Sequence, residues 1–161
     1  MAQHRKSRSH GRRIGIVVLA ALGMAMSGAL VGPPVEAAVT LTPKQKIVKF
    51  TSADVAATCK FQATKATPSS VSYTLSASAH PRGLTGYRDN VFTQVDCYVL
   101  PPGETNPANA FIEFHPSTHR ATMARINAKG VVPYFTSYTL CGAAQVELKS
   151  GGTSSTPYVC G

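Results

Sequence analysis

The chain has no tryptophan, and only six tyrosines and six phenylalanines among 161 residues. Its core must be built mainly from aliphatic side chains, so covalent cross-links matter in a domain of this size. Carboxylates are also scarce: seven Asp and Glu stand against 16 Lys and Arg. A glycosidase needs two carboxylates facing across a cleft. Nothing in the spacing of Asp54, Asp89, Asp96, Glu104, Glu113 and Glu147 selects such a pair. The G-x-S-x-G nucleophile elbow, the G-x-x-x-x-G-K-[ST] phosphate loop and a G-x-G-x-x-G opening a helix are all missing. These absences argue against serine-hydrolase, nucleotide-hydrolysing and dinucleotide-binding chemistry.

One long apolar run is present, Ile14–Gly32, and it carries no charge. "MAQHRKSRSHGRR" precedes it with five Lys/Arg and no acid, and "PPVEAA" follows, with Val35 and Ala37 at the small-residue positions of a cleavage site. Basic, apolar and small, in that order, reads as a secretory signal peptide of a bacterial kind. Cleavage is expected after Ala37, with no stable membrane anchor afterwards. No Cys lies near the cut, which sets aside a lipoprotein anchor. Residues 38–161 then form a single secreted domain, extracellular and open to cell-wall association. It carries 11 Lys/Arg against six Asp/Glu, a formal +5 rather than the +9 of the whole chain.

All four cysteines, Cys59, Cys97, Cys141 and Cys160, fall in this domain. An even set in an exported protein reads as disulfides. If "ELKSGGTS" is a hairpin with a tight turn centred on Ser150-Gly151, Cys141 and Cys160 lie directly opposite on antiparallel neighbours. Their Cα atoms are then about 4.5–5.5 Å apart, within disulfide reach. That leaves Cys59 to pair with Cys97.

Period-two alternation dominates the domain, which is the strand signal. "ATCKFQATK" puts Cys59, Phe61 and Ala63 on one face and Thr58, Lys60, Gln62 and Thr64 on the other. "SVSYTLSASA" and "VFTQVDCYVL" alternate in the same way. Strands are expected near 44–50, 57–65, 70–79, 91–100, 110–115, 120–127, 134–148 (with a break at Gly142) and 155–160. "TPKQKIVKF" has a capping-box start, but three lysines would crowd the positive end of a short helix, so an edge strand is expected. Turns are expected at "TPSS", "HPRGLTG", "PPGETNP", "HPSTH", "NAKG" and "KSGGTSSTP". Seven to eight strands separated by such turns predict an all-β antiparallel β-sandwich with two disulfides. The organisation resembles immunoglobulin-like secreted domains and departs from true ones in lacking the core tryptophan.

"FIEFHPSTHRATM" holds the one spacing that suggests metal chemistry, His115 and His119 four apart with Glu113 upstream. Pro116 keeps His115 out of helical geometry and replaces the Glu of H-E-x-x-H. The pair is therefore expected to be two polar loop residues, and no cofactor is expected. Candidate binding residues are Lys44, Lys46 and Lys49 of "KQKIVK", and His80, Arg82, Tyr87 and Arg88 of "HPRGLTGYR". No basic cluster suits a nucleic acid. The expected partner is an anionic cell-wall polymer or another extracellular protein, bound without catalysis. A secreted inhibitor or toxin-like effector presenting "LPPGETNPANA" is the alternative, and a small hydrolase using His115 and His119 a third reading.

Overall fold

The computed structural model describes residues 41–83 and 90–161. The expected signal peptide over residues 1–37, and Tyr87 and Arg88, lie outside the described residues. The described chain is nearly all β, in two antiparallel sheets. One sheet has the order β1 (Gln45–Thr51), β2 (Val55–Ala66), β3 (Ser70–Pro81), β7 (Met123–Pro133). The other has the order β10 (Val159–Cys160), β8 (Thr139–Leu148), β4 (Asn90–Leu100), β5 (Ile112–Phe114). Two short strands complete it: β6 (Ser117–Thr118) on β4 and β9 (Thr153–Ser155) on β8.

The expected alternation decides what lies between the sheets. From the first come Val48, Phe50, Val55, Ala57, Cys59, Phe61, Val71, Leu75 and Ala77, all buried. From the second come Val95, Cys97, Val99, Leu140, Ala144 and Val146, equally buried. The long strands β2, β3 and β4 thus put every second residue inward and leave most Ser, Thr and charged residues outside, as a sandwich requires. The immunoglobulin arrangement groups its first, second, fifth and fourth strands in one sheet. Here the first three strands run as a meander within one sheet, so the strand order is this chain's own.

Both disulfides form as the sequence implies. Cys59–Cys97 crosses the core from sheet to sheet with Cα atoms 5.8 Å apart. Cys141–Cys160 joins directly facing residues of β8 and β10, 4.1 Å apart at Cα. The register reaches that pairing by a different route. Glu147 faces Thr153 and the Leu148 amide donates to the Gly152 carbonyl, so the turn is one residue longer than a tight turn and centres on Ser150. Gly151 supplies its positive φ of 83°, where other residues are strained. A one-residue slip between Ser155 and Val159 then restores the cysteine pairing. The slip falls at Pro157, which has no amide to donate. Next to it the Thr156 hydroxyl accepts from the Ala144 amide at 2.9 Å.

Several boundaries move for identifiable reasons. The expected strand at 110–115 is continued beyond Pro116 by the separate short strand β6, and the one at 155–160 splits at Pro157, which gives ten strands among the described residues rather than seven or eight. "NAKG" is not a turn. Gly130 lies inside β7 opposite Tyr73, and a Cβ there would come within 2.7 Å of the Tyr73 hydroxyl oxygen. The turn falls instead between β7 and β8, at residues 134–138. Gly142 does not break β8 either. It faces Cys97, and its missing side chain leaves room for the Phe50 ring and the Cys59 sulfur.

Candidate functional site

The outer face of the β1-β2-β3-β7 sheet follows from register alone. Lys49 pairs with Thr58 and Thr58 with Ser78, while Ile47 pairs with Lys60, Lys60 with Ser76, and Ser76 with Asn127. These side chains share the solvent side, because their neighbours along each strand are the core residues. Serines on β3 are short, and long side chains flank them on β1, β2 and β7. The result is a trough of about 270 Å³ lined by Ile47, Lys49, Thr58, Lys60, Ser76, Ser78 and Arg125.

Arg125 reaches the trough through a bulge. Ala77 faces Ile126 but Ala79 faces Met123, so two residues of β7, Ala124 and Arg125, oppose Ser78 alone. A two-for-one bulge of this kind re-aims side chains. Three cations thus converge on a floor of hydroxyl groups. Among the described residues no carboxylate lines this trough, and the ion pairs involve His115 rather than a Lys or Arg.

Charge on the opposite face has the other sign. β4, β5 and β8 turn Gln94, Asp96, Tyr98, Glu113, Gln145 and Glu147 outward, paired across the sheet as Tyr98 with Glu113, Gln94 with Gln145 and Phe92 with Glu147. His115 lies between the acids. Its Nδ1 is 2.8 Å from Asp96 Oδ1 and its Nε2 3.4 Å from Glu113 Oε2. Gln94 Nε2 donates to the same Asp96 oxygen at 2.8 Å. Partial burial works to lower the His115 pKa, but hydrogen bonds to Asp96 and Glu113 and their charges outweigh it and raise it above the usual histidine value. Burial and the neighbouring Asp96 likewise raise the Tyr98 hydroxyl, whose ring meets His115 edge-on at 5.3 Å.

The two histidines of "HPSTH" part company. His119 packs on the Phe92 ring, 5.4 Å away, while His115 has both ring nitrogens engaged by carboxylates. Among the described residues no three His, Cys, Asp or Glu side chains are placed to hold a metal ion.

The three lysines of "KQKIVK" are also divided. β1 is a sheet edge, as expected. Lys49 faces the trough, whereas Lys44 is exposed just before β1 and does not line it. Lys46 points the other way. Its Nζ donates to the carbonyls of Tyr138 at 2.9 Å and Gly161 at 3.0 Å and sits 5.3 Å from the Tyr138 ring centroid. It therefore clamps the C-terminus to the sandwich. His80 stands two residues beyond Ser78 on the trough side of β3, exposed. Arg82 Nη1 donates to the Ser52 carbonyl at 3.2 Å, bracing the β1–β2 turn. No known family model, curated protein or solved structure matches this chain.

Lys60 and Arg125 are the site residues that strand patterning did not single out. Lys60 was already on the polar side of "ATCKFQATK", and only the β1–β2 register places it beside Lys49. Arg125 has no such signal, because the bulge depends on the β3–β7 pairing.

The loop between β4 and β5 is held from within. Glu104 accepts from the amides of Thr105 and Asn106 and from Asn109 Nδ2, each at 2.8 Å. Asn106 caps the 3₁₀ turn Pro107–Asn109 through the Ala108 amide, and the Gly103 amide donates to Thr139 Oγ1. The Asn106 amide, then Asn109 and the Thr105 amide, hold the Glu104 carboxyl below its usual pKa.

Proposed function

We propose that the protein is an exported, non-enzymatic binding domain that engages an anionic polymer of the bacterial cell envelope through the outer face of its β1-β2-β3-β7 sheet. The observation that carries this reading is the trough with Lys49, Lys60 and Arg125 around a hydroxyl floor. Two disulfides and an all-β frame are compatible with an oxidising compartment and support export. Segregated charge supports it further: the acidic face is directed away from a polyanion held at the basic one, which orients the domain during encounter.

The test is sedimentation of the purified protein with isolated bacterial cell walls as salt is raised. Binding that persists at physiological salt, where the Debye length is about 8 Å, supports the reading. Binding confined to low salt, or none, refutes it.

A second reading rests on the 101–110 loop, a proline-rich, exposed segment pre-ordered by Glu104, Asn106 and Thr139. Pre-ordering is what a protein inhibitor or effector loop needs, since it lowers the cost of binding. Inhibition of an extracellular protease, with the loop itself left uncleaved, would favour it. Cleavage within 101–110 without inhibition would remove it.

A further inference from the structure

From the trough's shape we infer its ligand class, an inference that rests on the envelope-binding reading: it takes an acyclic polyol phosphodiester chain of the poly(glycerol phosphate) type. Lys49 and Lys60 are diagonal neighbours on adjacent strands. Side chains so related have roots about 7–8 Å apart. Arg125 is carried by β7, two strands beyond β2. Two strand spacings and an offset of two residues along the strands put its root roughly 12 Å from that of Lys60. Roots spaced in this way match successive charges along a chain better than the clustered oxygens of one small anion. The trough volume of about 270 Å³ is also small. Pockets that enclose a whole small ligand run to roughly 300–1,000 Å³.

The lining suits a slender chain. The floor is one strand, β3, with Ser76 and Ser78 between the walls raised by Lys60 and Arg125. A hydrocarbon-width polyol backbone is slender enough to lie along that floor between the two side chains. There its hydroxyls meet Thr58 and Ser78, each both donor and acceptor, while the buried Ser76 hydroxyl donates to the Lys60 carbonyl and keeps only acceptor capacity. Ile47, 49% exposed, offers apolar surface to the methylene groups. The guanidinium of Arg125 matches two non-bridging phosphate oxygens at once, Lys60 acts as a point charge from the opposite wall, and Lys49, one strand further out on β1, adds to the positive field on that side.

The experiment is calorimetric titration of the purified protein at physiological salt with synthetic poly(glycerol phosphate). Glycerol 1-phosphate, polygalacturonate at matched charge and phosphatidylglycerol vesicles are titrated in parallel. The polymer is expected to bind, and polygalacturonate, the vesicles and the monomer to bind at least about ten-fold more weakly. Lys60→Gln and Arg125→Gln should each weaken the polymer about ten-fold, the loss of one charge-assisted contact. Lys149→Gln, in the β8–β9 turn, should change nothing. Ser78→Val, which fills the floor without altering charge, should also weaken it. Equal binding of polygalacturonate, tighter binding of vesicles, equal binding of the monomer, or variants without effect would each overturn the inference. If walls are bound but polygalacturonate equals the phosphodiester, only the ligand class falls. If neither walls nor polymers are bound, the envelope reading falls with it.

Discussion

Gly142→Ala places one methyl group where three neighbours already meet. A Cβ at this position would lie 2.7 Å from a Phe50 ring carbon and 2.8 Å from both the Asp96 carbonyl oxygen and the Cys59 sulfur. The ring can tilt, but the carbonyl belongs to the β4–β8 ladder and the sulfur to the Cys59–Cys97 bridge. Two of the three therefore cannot move without disturbing the sheet or the cross-link. Overpacking a core in this way costs about 1–3 kcal/mol, and the fixed neighbours place this variant at about 3 kcal/mol. For a domain of this length the melting temperature should fall by on the order of 10 °C. Far-UV circular dichroism is the assay, in thermal and denaturant unfolding, because the chain has no tryptophan to follow. Gly152→Ala is the control, since the nearest neighbour of its added methyl is the end of Ser150 at 3.8 Å. A surface change of that kind should alter stability by less than about 0.5 kcal/mol. A Gly142→Ala protein as stable as that control would refute the packing argument.

Three further outcomes are expected. Cys59–Cys97 and Cys141–Cys160 close loops of 38 and 19 residues. Replacing Cys141 and Cys160 together by Ala should cost about 3 kcal/mol, and the Cys59–Cys97 pair about 4 kcal/mol, in the chain-entropy model; denaturant midpoints in that order check it. Lys46→Met removes two donated hydrogen bonds and should lower stability by about 1–2 kcal/mol, while faster amide exchange at Gly161 would report the freed C-terminus. The His115 pKa is raised in the fold. It therefore adds stability that is fully present below its unfolded value near 6.5 and lost as pH rises through the higher folded value. Solvent exposure keeps this below about 1 kcal/mol, and His115→Gln should abolish the difference in unfolding free energy between pH 5.5 and 8.5.

The alternation in "ATCKFQATK", "SVSYTLSASA" and "VFTQVDCYVL" determined by itself which faces are buried, because period two leaves a half-solvated strand no other solution. The cysteine pairing was also legible, although the structure reaches it through a longer turn and a compensating slip at Pro157 that the sequence does not announce. Glycine was the residue most easily misread. Gly130 and Gly142 resemble punctuation locally, yet both sit inside strands because a ring or a disulfide from elsewhere occupies their side-chain space.

The candidate site divides along the same line. Lys49 was visible in a basic segment, but its neighbour Lys46 turns inward to carbonyls 92 and 115 residues away. Lys60 and Arg125 join Lys49 only through strand register and a bulge opposite Ser78. His115 and His119 looked like partners at a spacing of four, and the sheet parted them by giving one to Asp96 and Glu113 and the other to Phe92. Sequence by itself thus determined the all-β class, the alternation of the long strands and the cross-links, which follow from local periodicity and residue chemistry. Only the tertiary structure decided which charges meet, because neighbours across a sheet are set by register between segments far apart in the chain.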